Sequence, residues 1–224
     1  RNADAAMYRA KRRGQDRIAV YHADYSREAA HFVNIENELH RALQEGEFLP
    51  YYQPQVDLQS GRIVALEALA RWRHPDHGLV PPGQFIPIAE ETGQITELSK
   101  QMLTQVLADL GRWRLRGCAV PIAINVSPRQ FTDREFWQLL HDGVATGHCD
   151  PALLELEITE QVFLGDIDAA ADRLHELRAA GFSVALNDFG SGYSSFNYLR
   201  QLPVTSLKLD RAFINDVVQA PVSR

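Results

Sequence analysis

Three observations predict an α/β fold, a (β/α) barrel left incomplete on its C-terminal side. Strand-like and helix-like runs alternate from residue 47 onward, the spacing of βαβ units in a mostly parallel sheet. The first two strand-like runs are separated only by the turn residues Gln59, Ser60 and Gly61, which makes them an antiparallel hairpin. Polar residues recur at strand C-termini, at Glu67, Asn125, Glu157, Asn187-Asp188 and Lys208. In a barrel those ends converge on one mouth, where active sites are assembled from several strands. Six strands are expected where closure takes eight and typically about 250 residues, so the pattern lacks two strand–helix units. An open doubly wound sheet is the alternative, and it needs no missing strands.

Residues 3–13 read as a short helix ended by Gly14, and DRIAVY (16–21) as a brief strand. Phe32, Ile35, Leu39 and Leu43 are spaced for one helix face running into Gly46, a C-cap residue. EFLPYYQPQVD (47–57) is a strand whose prolines suit an edge or a bulge, and RIVALEALARW (62–72) returns beside it. PPGQFIPIAEETG (81–93) is a loop and short helix. Over 94–116, Ile95, Leu98, Met102, Val106, Leu110 and Trp113 share a face, with Gly117 as the stop. Strand 120–126 meets Ser127-Pro128, an N-cap with proline at the first helical position. Thr132 and Glu135 read as a capping box for the next helix. Strand 153–158 leads to helix 166–180, with Ile167, Ala170, Leu174 and Leu177 inward and Gly181 as cap. Strand 182–187, the loop DFGSGYSS (188–195), a short helix to Leu202-Pro203, strand 204–209 and the start of another helix complete the chain.

Composition narrows the functional classes. Hydrophobic residues make up 45% and charged residues 23%, ordinary for a globular protein. No apolar run approaches the ~20 residues that span a bilayer, and no signal-peptide core is present. A cytoplasmic chain is expected. It starts at Arg rather than Met, as a piece of a longer protein would. Residues 1–17 carry six basic and two acidic side chains, so with a net charge of −6 the remainder stands at −10. An acidic body repels nucleic-acid polymers, which disfavours a polymer nuclease; a small phosphate ligand bridged by cations remains open. Cys118 and Cys149 form no framework and are expected as reduced core thiols.

The strand-end set Glu67, Asn125, Glu157, Asn187 and Asp188 is oxygen-only. With no cysteine or histidine at ligand spacing, it favours Mg²⁺ or Mn²⁺ over Zn²⁺. Such cations can activate water for an in-line phosphoryl displacement, and Lys208 beside them would orient the nucleophile or neutralise growing charge. Arg71 shares Glu67's strand face and would aim its fork at a phosphate. The glycine- and serine-rich loop 188–195 can offer backbone N–H groups to phosphate. Its DFG triplet stands without the other protein-kinase elements. His74, His77, His141, His148 and His175 are scattered and read as structural or surface residues.

Five ordered motifs carry a resemblance: EALAR (67–71), NVSPRQF (125–131), LELEITE (154–160), NDFGSGYSSFNYL (187–199) and SLKLDRAFI (206–214). Together they resemble EAL domains, the bacterial phosphodiesterases that linearise cyclic di-GMP to pGpG. The stretch ADAAMYRAKRRGQDRIAVY (3–21) is similar to the end of a GGDEF, or diguanylate cyclase, domain. The implied organisation is a GGDEF remnant (1–22), a linker helix (23–46) and a partial EAL barrel (47–224). The parent would be a GGDEF–EAL signalling protein, able to reach the membrane only through upstream domains. The resemblance implies a TIM-like barrel with an antiparallel first strand pair. It implies Mg²⁺ or Mn²⁺ as cofactor, cyclic di-GMP as ligand, and a possible homodimer through the barrel. Glu67, Asn125 and Glu157 match first-metal ligands, Asn187 the bridging aspartate, Asp188 the second-metal aspartate, and Lys208 the catalytic lysine. Gln53 and Arg71 match dinucleotide-holding positions, with the backbone around Leu69 close by. Glu160 matches a glutamate that supports loop 188–195.

Two departures shape the expectation. Asparagine at 187 brings an oxygen but no charge, so weaker occupancy of the second metal follows. A later glutamate and glutamine of the family have no counterpart before residue 224. A weakly active or inactive chain with an exposed, association-prone sheet edge is therefore expected. The rival reading is a degenerate module that binds cyclic di-GMP, or only a partner, without turnover.

Overall fold

A computed structural model describes residues 35–189 and 202–210. The expected helix 3–13, strand 16–21, loop beyond Phe189, short helix before Leu202 and helix after residue 210 lie outside the described residues, as does the proposed GGDEF remnant. The described residues fall into two compact units. One holds those up to Glu47 together with Trp72–Gln94; the other holds Phe48–Arg71 and those from Ile95 onward.

In the first unit a helix (α1, 35–45) buries Ile35, Leu39, Ala42 and Leu43, the stripe that the three- and four-residue spacing predicts, and Gly46 follows at φ 69°. The Trp72 indole N–H donates to Glu47 Oε2 at 2.8 Å, and the ring packs edge-on against Phe85 at 6.0 Å. His74 is buried, and its Nδ1 accepts from the backbone N–H of Asp76 and of His77, both at 3.1 Å. The reading of His74 as structural holds. Helix α2 (Pro82–Thr92) begins with proline in its first turn and ends at Gly93 in the left-handed region, φ 80°. One element escaped the sequence: β3 (Gly78–Val80) pairs antiparallel with Trp72–His74, and three residues are too few to show a period.

The second unit is built on strands β1 (Phe48–Val56), β2 (Ile63–His74, its first nine residues here), β4 (Ile122–Val126), β5 (Leu154–Thr159), β6 (Ser183–Phe189) and β7 (Ser206–Leu209). Their order is β1-β2-β4-β5-β6-β7. The first pair is antiparallel and the later pairs are parallel. Strands follow one another in chain order with no reversal, whereas a doubly wound sheet must reverse at its switch point. The arrangement is that of a (β/α) barrel, not closed among the described residues. Crossovers carry α3 (Ile95–Leu115), α4 (Pro128–Phe131) with α5 (Arg134–Ala145), and α6 (Ile167–Ala179).

Strand alternation decides which face is the core. Ile122, Ile124 and Val126, then Leu154, Leu156 and Ile158, then Val184 and Leu186 form one cluster with Leu103, Val106, Leu107 and Leu110 of α3, Phe136 and Leu140 of α5, and Leu174 and Leu177 of α6. Each such side chain contributes on the order of 2 kcal/mol by leaving water. The other parity is thereby forced to the opposite face of the sheet. At the edge, the Tyr52 hydroxyl donates to Asp109 Oδ2 at 2.5 Å and its ring meets Trp113 edge-on at 4.9 Å, tying β1 to α3.

Two local expectations need correction. Ser127 does cap α4, in a capping box with Gln130. Thr132, however, ends α4, its hydroxyl donating to the Arg129 carbonyl at 2.9 Å; Asp133 caps α5 by accepting from the Glu135 N–H at 3.0 Å. A free carboxylate one residue nearer the helix wins the capping position. Of the two free thiols, Cys149 is buried but Cys118 is exposed, so only one is a core residue.

Candidate functional site

Glu67, Asn125, Glu157, Asn187 and Lys208 all have the parity that the helix-facing core excludes. On β2, Glu67, Leu69 and Arg71 alternate with Ala68, which packs in the core cluster. Asn125 stands in register with Glu157, and Asn187 with Thr159. Asp188 should break this rule, because it follows Asn187 directly. The β6–β7 ladder explains why it does not have to point away. Leu186 pairs with Leu207 and Phe189 with Leu209, so Asn187 and Asp188 together face Lys208 alone. This two-against-one bulge re-aims side chains. It is accommodated by Asp188 at φ 54°, a left-handed conformation that Asp tolerates better than most residues.

The side chains converge. Asn125 Nδ2 donates to Glu67 Oε1 at 3.1 Å, and Asn187 Nδ2 donates to Asn125 Oδ1 at 3.1 Å. Asn187 Oδ1 in turn accepts from the Asp188 backbone N–H at 3.0 Å. The Lys208 ammonium bridges two carboxylates: it contacts Glu157 Oε1 and lies 3.7 Å from Glu67 Oε2. Glu157 is 1% exposed, a charge that would be costly without that partner. Burial lowers the Lys208 ammonium below its usual range, against the opposing pull of Glu67 and Glu155. Burial, and then the negative charges of Asp210 and Glu67, hold the Asp188 carboxyl above the usual carboxylate range.

This donor set fits a hard divalent cation in two respects. Glu157 Oε2 is buried with no hydrogen-bond partner, and the charges around Asp188 leave negative potential that a cation would relieve. Among the described residues, no three His, Cys, Asp or Glu side chains form a ready-made metal cluster. The reason is visible: two of the five oxygen donors are amides, and an ammonium sits between Glu67 and Glu157.

The remaining candidates are placed differently. Arg71 Nη1 donates to the Ala70 carbonyl at 2.9 Å, and Gln53 is exposed on β1. Leu69 is half-buried on the Glu67 face. Glu160 opens the 3₁₀ turn Glu160–Phe163, and the loop it is expected to support lies beyond the described residues from 190. Three polar residues near the site were not singled out from the sequence: Glu155, Ser206 and Asp210. Glu155 and Ser206 each precede a chosen residue by two, so strand period alone would have found them.

Fold and geometry define the class: an oxygen-donor site with a half-buried lysine at the C-terminal strand ends of a (β/α) barrel. The EAL-domain profile matches residues 36–224, and the chain belongs to the EAL-domain family. The bifunctional diguanylate cyclase/cyclic di-GMP phosphodiesterase MucR of Pseudomonas aeruginosa is 37% identical over 217 residues, covering 96% of this chain and 32% of that protein. The cyclic di-GMP phosphodiesterase PdeR of Escherichia coli is 32% identical over 224 residues, covering 100% of this chain and 34% of that protein. The chain thus spans about a third of the length of these relatives. Among solved structures, the PaMucR phosphodiesterase in complex with c-di-GMP superposes with a TM-score of 0.78 at 36% identity, covering 85% of this chain and 77% of that one. The Xanthomonas citri FimX EAL domain in complex with c-diGMP gives 0.76 at 26% identity, covering 88% and 77%. Within the described residues no helix is long and apolar enough to cross a membrane.

Proposed function

We propose that this chain is a cyclic di-GMP phosphodiesterase module, opening one phosphodiester of the cyclic dinucleotide to give linear pGpG. The observation that carries the reading is the meeting of Glu67, Asn125, Glu157, Asn187 and Lys208 from five strands. MucR and PdeR, both named for this activity, support it.

Glu67, Asn125, Glu157 and Asp188 would hold Mg²⁺ or Mn²⁺, with Asn187 offering at most a carbonyl oxygen. When bound, the cations supply positive charge against the phosphate and a more acidic water. The chain's own groups do the rest. Lys208, held between Glu67 and Glu157, keeps an ammonium proton donor at the reacting phosphate. Arg71 needs only to exchange its bond to the Ala70 carbonyl for a phosphate oxygen, and Gln53 on the neighbouring strand offers its amide to the dinucleotide. Hydrolysis places the elements of water across one P–O3′ bond, leaving a 5′-phosphate and a free 3′-hydroxyl. Residues 1–22 are proposed as the tail of a diguanylate cyclase module. This is supported by the alignment with bifunctional MucR over 96% of the chain, which is more than the span 36–224 that the EAL profile takes.

The test is release of pGpG from cyclic di-GMP in the presence of Mn²⁺, with Glu67→Gln as control. Release by the native chain that the control loses supports the proposal. Binding of the dinucleotide with no release would overturn it in favour of a non-catalytic module.

A further inference from the structure

Lys208 stands at an irregular point of the sheet. Strand β7 has four residues and, among the described residues, lies at the end of the strand order. Its outward side chains Leu207 and Leu209 are 46% and 49% exposed. Its ladder with β6 loses register at Lys208, which faces both Asn187 and Asp188. Pairing on either side of it, at Leu207 and Leu209, therefore does not by itself fix where its side chain points.

Two contacts immediately before it do. The Thr205 hydroxyl donates to the Val184 carbonyl at 2.7 Å and accepts from the Val184 N–H at 3.0 Å, anchoring the start of β7. The Ser206 hydroxyl donates to Glu155 Oε2 at 3.0 Å. Ser206 and Lys208 share one parity of β7, and Glu155 and Glu157 share one parity of β5. Ser206–Glu155 and Lys208–Glu157 are thus two successive struts from β5 to β7, one layer apart. Both pass over β6, where the residue in register with Glu157 on one side and Ser206 on the other is Ala185. Ala185 is fully buried, and only a methyl group stands between the outer strands at that level.

We propose that Glu155 and Ser206 are positioning residues, whose strut sets the face and height at which Lys208 meets Glu157 and the substrate phosphate. The proposal rests on the reading that Lys208 serves phosphodiester hydrolysis. Without the strut, β7 keeps its Thr205 anchor but can rotate at the bulge, carrying the ammonium away from Glu157.

Turnover and crystal structures of Ser206→Ala, Glu155→Ala and Glu155→Gln decide it. An amide oxygen can still accept from Ser206, so Glu155→Gln should stay near native turnover with Lys208 on Glu157. Ser206→Ala and Glu155→Ala should each lose roughly ten- to a hundredfold in kcat, with KM little changed because Gln53 and Arg71 are untouched. The double alanine variant should be no worse than either single one. In the Ser206→Ala crystal the ammonium should have left Glu157. Native kcat in Ser206→Ala overturns the proposal, as does Glu155→Gln falling as far as Glu155→Ala. If the native chain shows no turnover, the functional reading fails, and the crystals still decide: Lys208 unmoved in Ser206→Ala overturns the positioning role.

Discussion

Asn187→Asp is the most informative single change in this site. The Asn187 amide donates to Asn125 Oδ1 at 3.1 Å, and Asn125 in turn donates to Glu67. An aspartate at 187 has no proton to give. It removes one hydrogen bond, worth about 1 kcal/mol net, and sets two acceptor oxygens face to face. It also adds a negative charge beside the Asp188 carboxyl, which burial, and then Asp210 and Glu67, already hold above the usual carboxylate range. About 2 kcal/mol of lost stability in metal-free buffer is the expected sum, or roughly 4–8 °C in Tm for a domain of this size. A divalent cation reverses the sign. One more carboxylate beside it gains on the order of 1.4–3 kcal/mol, a ten- to hundredfold rise in affinity. Thermal unfolding with and without Mn²⁺, together with calorimetric titration of the metal, reads both halves. The variant should unfold earlier without metal, gain more Tm from metal, and bind an additional cation equivalent. If it is as stable as the native chain in chelator and shows the same metal response, Asn187 does not face a shared cation, and the proposed site is refuted.

Three further outcomes are expected. Asp188 sits at φ 54°, so Asp188→Gly should be more stable than Asp188→Ala by about 1 kcal/mol in chemical denaturation, while both lose the carboxylate and metal-dependent turnover. Glu157→Gln removes the buried negative charge that pairs with Lys208; pGpG release should drop at least a hundredfold or so while circular dichroism stays native. Burial, and then the charge of Asp150, push the Cys149 thiol up to about 11, whereas Cys118 is exposed. Alkylation at pH 8 should label one thiol by mass spectrometry and the second only in denaturant. Because the folded value is raised, Cys149 leaves stability intact below the ordinary thiol range, and stability should decline as pH climbs from there toward about 11.

The barrel was legible because alternation and capping leave local traces. Gly46, Gly117 and Gly181 were read as helix stops, and all three adopt positive φ. The apolar parity of β4, β5 and β6 was plain enough to leave Asn125, Glu157 and Asn187 on the opposite face. What escaped depended on partners distant in sequence. β3 exists only through its pairing with Trp72–His74, and Cys118, which follows the Gly117 stop, is exposed because no element packs over it among the described residues. Thr132 and Asp133 compete for one cap, and which one succeeds depends on where α4 stops. The donors of the site were readable, but the ammonium lodged between Glu67 and Glu157 was not, since nothing in the spacing of 67, 157 and 208 says which groups touch.

The bulge between β6 and β7 ties the placement of Asn187 and Asp188 to that of Lys208. A regular ladder would send Asn187 and Asp188 to opposite faces, and one of them would face the helices as an unpaired polar group. Doubling them against Lys208 keeps both near the site, but it takes Lys208 out of register and gives its placement to side chains. The strain of one left-handed aspartate, about 1–3 kcal/mol, is therefore tied to a second requirement: something other than the backbone must hold the lysine. Glu157 above and the Glu155–Ser206 strut below meet that requirement. A substitution that relaxes the bulge, such as Asp188→Gly, should leave them still gripping β7, whereas loss of the strut should free Lys208 even with the bulge intact.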